Sequence, residues 1–229
     1  MLHTRKEFQY IILRSISQKN DSPPKHFLSP ITKDMDDIDS LYKARQTVVE
    51  MLTDRGYTIP DEVPCDSMTQ FKKLYANKQC DIFVKEPHKC YVKFVLTHKV
   101  RPNILREHIK TLREGDLEDE DDLVMVIRNK PNSTLLRITK EYPNVQIFWI
   151  RYLMVNITHH ALNPTFVKMT DPEIEALLKQ YRLTSRYQLP IMLKDDPISR
   201  YYAFSTGTVT RVIRSSVTSG EYVSYRCIK

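Results

Sequence analysis

Asp195-Asp196-Pro197-Ile198-Ser199-Arg200-Tyr201-Tyr202, followed after four residues by Gly207-Thr208-Val209-Thr210-Arg211-Val212-Ile213-Arg214-Ser215-Ser216-Val217-Thr218-Ser219-Gly220-Glu221-Tyr222-Val223-Ser224-Tyr225-Arg226, is the stretch from which the fold can be read. Its first part is a helix start. The Asp196 carboxylate can cap, and Pro197 suits the first helical position, where a missing N–H costs nothing. Gly207 then breaks the chain before an alternating run. Val209, Arg211 and Ile213 should face one side, and Thr210, Val212 and Arg214 the other. Ser215 to Gly220 reads as the turn of a β-hairpin, with Tyr222 to Ile228 as the returning strand.

These residues resemble the C-terminal signature of RNA polymerase subunit 5, a small protein shared by eukaryotic nuclear RNA polymerases, with a shorter archaeal relative. The matching places are Asp196-Pro197, Arg200-Tyr201, Gly207-Thr208-Val209, Ile213-Arg214-Ser215-Ser216-Val217-Thr218-Ser219-Gly220 and Tyr222-Val223-Ser224-Tyr225-Arg226. Many positions at fixed spacing make the pattern specific. A generic helix-hairpin is the alternative.

Working outward, the chain of 229 residues has room for one or two domains. Its Lys+Arg 35 against Asp+Glu 28 leaves a net charge of +7, spread along the chain with no polybasic tail. Sequence-independent nucleic-acid binding by this chain alone should therefore be weak and salt-sensitive. Cys65, Cys80, Cys90 and Cys227 lack zinc-ligand spacing and read as buried or half-buried reduced thiols. No apolar run approaches a membrane span, so a reduced, intracellular, soluble protein is expected. A weak mitochondrial-presequence reading attaches to the Arg-bearing N-terminus.

Residues 1–39 read as an extension, punctuated by Pro23-Pro24 and Pro30; Phe8, Ile11, Ile12 and Ile16 have helical spacing. Leu41 to Leu52 is an amphipathic helix with Leu41, Ala44, Val48, Met51 and Leu52 on its buried stripe, Asp39 or Ser40 as cap, and Gly56 at the left-handed C′ position. A short helix follows around Met68 to Tyr75. Cys80 to Lys85 and Tyr91 to Thr97 read as strands, Ile104 to Leu112 as a helix, and Glu114 to Asp122 as a solvated acidic loop. Leu123 to Ile127 is a strand, Ser133 to Tyr142 a helix, and Val145 to Ile150 another strand. This alternation, with continuous apolar runs, argues a mixed α/β sheet covered by helices.

The Asp54-Arg55-Gly56-Tyr57 exit also resembles the start of the eukaryotic subunit-5 N-terminal domain, which the archaeal relative lacks. The resemblance implies an α/β (α+β) architecture: an extension over 1–39, a restriction-endonuclease-like mixed-sheet jaw domain over 40–154, and a small α+β domain of the archaeal kind over 155–229, ending in the hairpin. A nuclease of the jaw's fold would hold a divalent metal between Asp81 and an acidic-x-Lys on the next strand. Here that strand offers Tyr91-Val92-Lys93, with tyrosine in place of the second carboxylate, so hydrolysis is not expected. Neither metal nor cofactor is expected.

Val155 to Pro164 resembles the family's entrance to its C-terminal domain. Adjacent His159 and His160 project in different directions, which suits capping or packing better than metal binding. Thr170-Asp171-Pro172-Glu173 is a capping box, and Ile174, Leu177, Leu178 and Tyr181 follow at inward-facing spacing. The resemblance implies a non-catalytic subunit of a nuclear DNA-directed RNA polymerase, with the largest subunit, other polymerase subunits and downstream double-stranded DNA as partners. Asp196, Pro197, Arg200, Tyr201, Arg214, Ser216, Thr218, Gly220, Tyr225 and Arg226 are the expected polymerase interface; Arg200, Arg214 and Arg226 could equally brace the hairpin. Lys130, Pro131, Asn132 and Ser133 correspond to the family's DNA-proximal loop, or are simply a helix-capping turn. Several customary family residues are replaced by Thr165-Phe166, Ile191, Ala203 (for glycine), Ser205-Thr206 and Val217. That pattern suits a paralogue confined to one polymerase, for example polymerase I in the nucleolus. A metal-dependent nuclease and a polymerase-free adaptor are the rivals.

Overall fold

The computed structural model describes residues 30–60, 63, 65, 67–97, 100–115, 117, 118, 120–142, 144–216, 218 and 220–229, with side chains from Ile38 onward. Residues Asp37–Lys229 pack as one compact unit. The expected helical spacing around Phe8 to Ile16 lies outside the described residues.

Helix α1 runs Pro30–Asp54. It begins earlier than the sequence pattern suggests. Asp39 and Ser40, expected as caps, lie inside it, and Pro30 takes the first helical position instead. Leu41, Ala44, Val48, Met51 and Leu52 are all buried, as the periodicity requires. Its end is a Schellman closure. Gly56 sits at φ +90°, Tyr57 N donates to Leu52 O at 3.0 Å, and Gly56 N donates to Thr53 O at 2.9 Å. Helix α2 (Met68–Ala76) starts on the Ser67 hydroxyl, which accepts from Gln70 N.

The first sheet contains β1 (Ile82–Val84), β2 (Cys90–Val95), β3 (Asp122–Ile127) and β4 (Val145–Trp149) in that order. β1–β2 is antiparallel; β2–β3 and β3–β4 are parallel, joined by α3 (Pro102–Gly115) and α4 (Ser133–Glu141). Alternate side chains build two cores. Val92, Phe94, Val124, Val126 and Phe148 pack with α1 on one face. Leu123, Met125, Ile127, Val145 and Ile147 pack on the other with Leu105 and Ile109 of α3 and Leu135 and Ile138 of α4. This explains why these strands read as unbroken apolar runs: both faces are covered.

The second sheet contains β5 (Thr165–Lys168), β6 (Ile191–Met192), β7 (Val209–Ser216) and β8 (Gly220–Ile228), in the order β5-β7-β8-β6. Helix α5 (Asp171–Gln180) covers one face through Ile174 and Leu177 against Val209 and Cys227. Helix α6 (Pro197–Tyr201) covers the other through Ile198 beside Met192, Phe204 and Ile228. The Glu173 carboxylate accepts from the Thr170 amide and hydroxyl at 2.8 and 2.9 Å, the reciprocal half of the expected box. Tyr181, expected inward, is 55 % exposed because α5 has already ended; its ring meets Tyr225 edge-on instead.

The four cysteines are free, with Cys80, Cys90 and Cys227 buried and Cys65 half-buried. Burial pushes the Cys80 thiol up to about 11 and Cys90 up to about 12, so both are protonated packing groups. The acidic loop is less solvated than expected at its end. Asp121 accepts from Glu118 N at 2.8 Å, and Asp122 opens β3 while accepting from the Tyr57 hydroxyl at 2.8 Å. Among the described residues, no helix is long and apolar enough to cross a membrane.

Candidate functional site: a buried seam, an open hairpin and a basic sheet end

The deciding stretch is tied to the first sheet by a network of buried polar groups. The Asp196 carboxylate accepts from Ile198 N at 3.0 Å, which starts α6 as the sequence implied. Arg55, just beyond α1, then reads the far end of α6. Its Nε donates to Tyr201 O at 2.7 Å, and its Nη2 donates to Arg200 O at 2.9 Å and to Gln146 Oε1 at 2.8 Å. Burial lowers the Arg55 pKa, and the nearby Cys90 and Asp122 oppose that shift. Such a guanidinium is held because its fork meets acceptors in several directions at once.

Tyr201 is 3 % exposed. Its hydroxyl donates to Asp54 Oδ2 at 2.7 Å and accepts from Asn156 Nδ2 at 3.0 Å. Burial, then the Asp54 hydrogen bond, raises its pKa above the ordinary tyrosine value. Asn156 also donates to Glu50 at 2.6 Å and caps the short helical turn Ile157–His159. His159 Nε2 lies 3.9 Å from Glu50, and His160 Nδ1 accepts from Leu162 N, so the two histidines serve packing and capping. Arg200 lies over the Phe148 ring at 4.7 Å, and its Nη2 donates to Ile147 O. Arg200 and Tyr201, grouped in sequence with the polymerase interface, thus face the chain's own first sheet.

The hairpin is different. β7 pairs with β8 from Val209↔Cys227 to Ser216↔Gly220, and Gly220 opens β8 at φ +71°. Near the core its side chains are sealed. Toward the tip, Arg214, Thr218 and Gly220 are exposed, as are Tyr222 at 56 % and Val223 at 42 %. Ser216 is half-buried with its hydroxyl 3.3 Å from that of Thr218. Tyr225 and Arg226 are half-buried, and Arg226 Nη1 donates to Ile191 O at 3.4 Å, bracing β6 against β8. Of the three arginines named in sequence, two are committed inside the chain and Arg214 stands outward.

At the carboxyl ends of β3 and β4, basic side chains collect. Asn132 Oδ1 accepts from Leu135 N at 2.9 Å and caps α4; Lys130, Asn132 and Ser133 are exposed, and Pro131 is half-buried. Trp149 Nε1 donates to Arg128 O at 2.9 Å, and the Arg151 guanidinium lies over the Trp149 ring at 5.6 Å. The turn is therefore both a helix cap and part of a cationic rim.

The same two halves are recognised by family models. RNA polymerase Rpb5, N-terminal domain, matches residues 35–148, and RNA polymerase Rpb5, C-terminal domain, matches residues 155–228. The chain belongs to the RNA polymerase Rpb5 family. Similar proteins include subunit 5B of DNA-directed RNA polymerases IV and V from Arabidopsis thaliana, 32 % identical over 207 residues that cover 86 % of this chain and 94 % of that one. Subunit rpabc1 of DNA-directed RNA polymerases I, II, and III from Dictyostelium discoideum is 32 % identical over 201 residues, 84 % and 98 % of the two chains. The corresponding Caenorhabditis briggsae subunit is 28 % identical over 204 residues, 82 % and 95 %. Rpb5 is a non-catalytic subunit of DNA-directed RNA polymerase.

Within this Rpb5-family chain, the nuclease-like position is occupied by internal contacts. Asp81 Oδ2 accepts from Lys93 Nζ at 2.8 Å and Tyr91 Oη at 3.2 Å, while its Oδ1 accepts from Phe94 N at 2.8 Å. One carboxylate neutralised by its own lysine has the chemistry of a strand brace. The positions that read in sequence as departures from the family pattern lie mostly on the surface: Thr165, Ile191, Ala203, Ser205 and Thr206 are exposed, and Phe166 is half-buried. Val217 lies outside the described residues. Sequence reasoning missed Arg55, Gln146, Asp54 and Asn156 as the seam. The one local signal was a charged pair, Asp54-Arg55, placed immediately before a helix-ending glycine.

Proposed function

We propose that this protein is a non-catalytic subunit of a eukaryotic nuclear DNA-directed RNA polymerase, joined to the largest subunit through residues 155–229, with its first sheet beside the downstream duplex. The observation that carries the reading is the hairpin: rigid at its base and open toward its tip, where Arg214, Tyr222 and Val223 offer a cation and apolar surface to a partner. Aromatic side chains and arginine are the residue types that dominate protein interfaces. The basic rim around Lys130 supports the second contact. Lysine and arginine meet phosphates and position a duplex without reading its sequence. No reacting group is required of this chain; phosphoryl transfer would belong to the large subunits.

A second reading is a paralogue confined to one polymerase class. It is favoured by the exposure of Ile191, Ser205 and Thr206, which change the outer surface while leaving the core intact. Relatives differ in the set of polymerases they are named for, one for polymerases I, II, and III and one for polymerases IV and V. Affinity purification of the tagged protein from nuclear extract, with mass spectrometry of the largest subunits recovered, tests both. Recovery of several largest subunits supports a shared subunit; one dominant class supports the paralogue. Recovery of none overturns both and leaves the adaptor.

A further inference from the structure

Three stretches of chain leave the first sheet at one end. Val95 pairs with Ile127 and Ile127 with Trp149, so β2, β3 and β4 finish side by side. Adjacent strands lie about 4.8 Å apart, which puts the three exits within about 10 Å of one another. Each exit soon delivers an exposed cation: Arg101 directly before α3, Lys130 shortly before α4, and Arg151 just after β4. Residues 96–106, 128–140 and 150–170 contain no Asp or Glu. Among the described residues, none of these three cations forms an ion pair. Arg151 is also held in place. Its guanidinium lies over the Trp149 ring, whose other contact is the edge of the 58 % exposed Tyr152 at 5.3 Å. Stacking uses the flat face of a guanidinium and leaves the N–H groups in its plane unspent.

We propose that Arg101 and Arg151 bind duplex phosphates on either side of the Lys130 turn, so that this end of the sheet is a three-point, sequence-independent platform for a nucleic-acid backbone. The proposal rests on the reading that the first sheet lies beside a duplex, and it names the residues that would carry the contact. The surroundings favour phosphate over an acidic protein. Thr97, Asn103, Asn129, Asn132 and Ser133 are exposed, neutral and polar. Side chains of these types, with lysine and arginine, make the backbone contacts that position a duplex. A protein partner would call for an apolar centre, which the row of cations does not enclose.

The test measures binding of the purified full chain to a short labelled DNA duplex by fluorescence anisotropy, between about 50 and 200 mM salt. Three phosphate contacts predict that log affinity falls against log salt with a slope of about 2.7, a loss of about 40-fold over that range. Arg101→Ala and Arg151→Ala should each lower the slope by about 0.9, and the double variant should keep about 0.9, equally for duplexes of different sequence. Urea midpoints of the variants check that folding is intact. Lys168→Ala with Lys179→Ala, two exposed cations of the other half, should leave the slope unchanged. A double variant that binds like the wild type while Lys130→Ala weakens binding would overturn the proposal and leave the reading of the sheet beside a duplex in place. An equal effect of the Lys168 and Lys179 control would overturn it as diffuse attraction. Tighter binding to the single strand, equal binding to polyglutamate, or no binding at the lowest salt would overturn it too. None of these outcomes bears on polymerase association, which the affinity purification reads separately.

Discussion

Ala203 stands at φ +53°, in the left-handed region that a side chain bearing Cβ adopts at a cost. Ala203→Gly should therefore stabilise the protein by about 1 kcal/mol, read as a higher urea midpoint with an unchanged slope. An unchanged or lower midpoint would mean that the backbone there carries no strain. Arg55 is the opposite case, a single residue with no substitute. Arg55→Met leaves the Arg200 and Tyr201 carbonyls and the Gln146 amide oxygen without their donor, at a cost of about 3 kcal/mol. Arg55→Lys should recover little of this, because one ammonium cannot span three acceptors. Urea unfolding of the two variants checks both statements; full rescue by lysine would reduce the seam to a charge effect.

At the scale of elements, β8 lies between β7 and β6. Deleting Tyr222 to Lys229 strips the partner from both and uncovers Val209 and Met192, so polymerase association should be lost together with cooperative unfolding of the C-terminal half. A truncated chain that still co-assembles would sink the assignment of the anchor. The elements that were legible in sequence are those encoded locally. Gly207, Gly220 and the alternating run specify the hairpin; Thr170 and Glu173 specify the start of α5; Asp196 and Pro197 specify α6. The seam was not legible, because Arg55 and Tyr201 are 146 residues apart and no periodicity links them. The start of α1 was misplaced for a local reason. Asp39 and Ser40 both look like caps, and Pro30, the actual signal, reads equally well as a loop residue.

On the scale of the whole molecule, charge is sorted along the first sheet. The acidic loop Glu114–Asp122 leads into β3, whereas Arg128 and Lys130 leave it, about 20 Å away for a strand of this length. At physiological salt, exposed charges are largely screened beyond about 8 Å, so the two ends do not cancel each other at a nearby phosphate. Lys130→Ala should accordingly weaken downstream DNA contact modestly and lower the salt dependence of elongation-complex stability by about one phosphate contact. Unchanged salt sensitivity would remove Lys130 from that role. The grip of Arg200 on Ile147 acts at this scale too. β4 is the outermost strand of its sheet among the described residues, lined with Val145, Ile147 and Phe148, and an uncovered strand of this kind is a template for adding strands from other molecules. By laying α6 against it, the C-terminal half serves as the first sheet's guard against aggregation. A fragment cut near residue 154 would lose more than a contact surface; it would expose a sticky edge and self-associate where the intact chain stays dispersed.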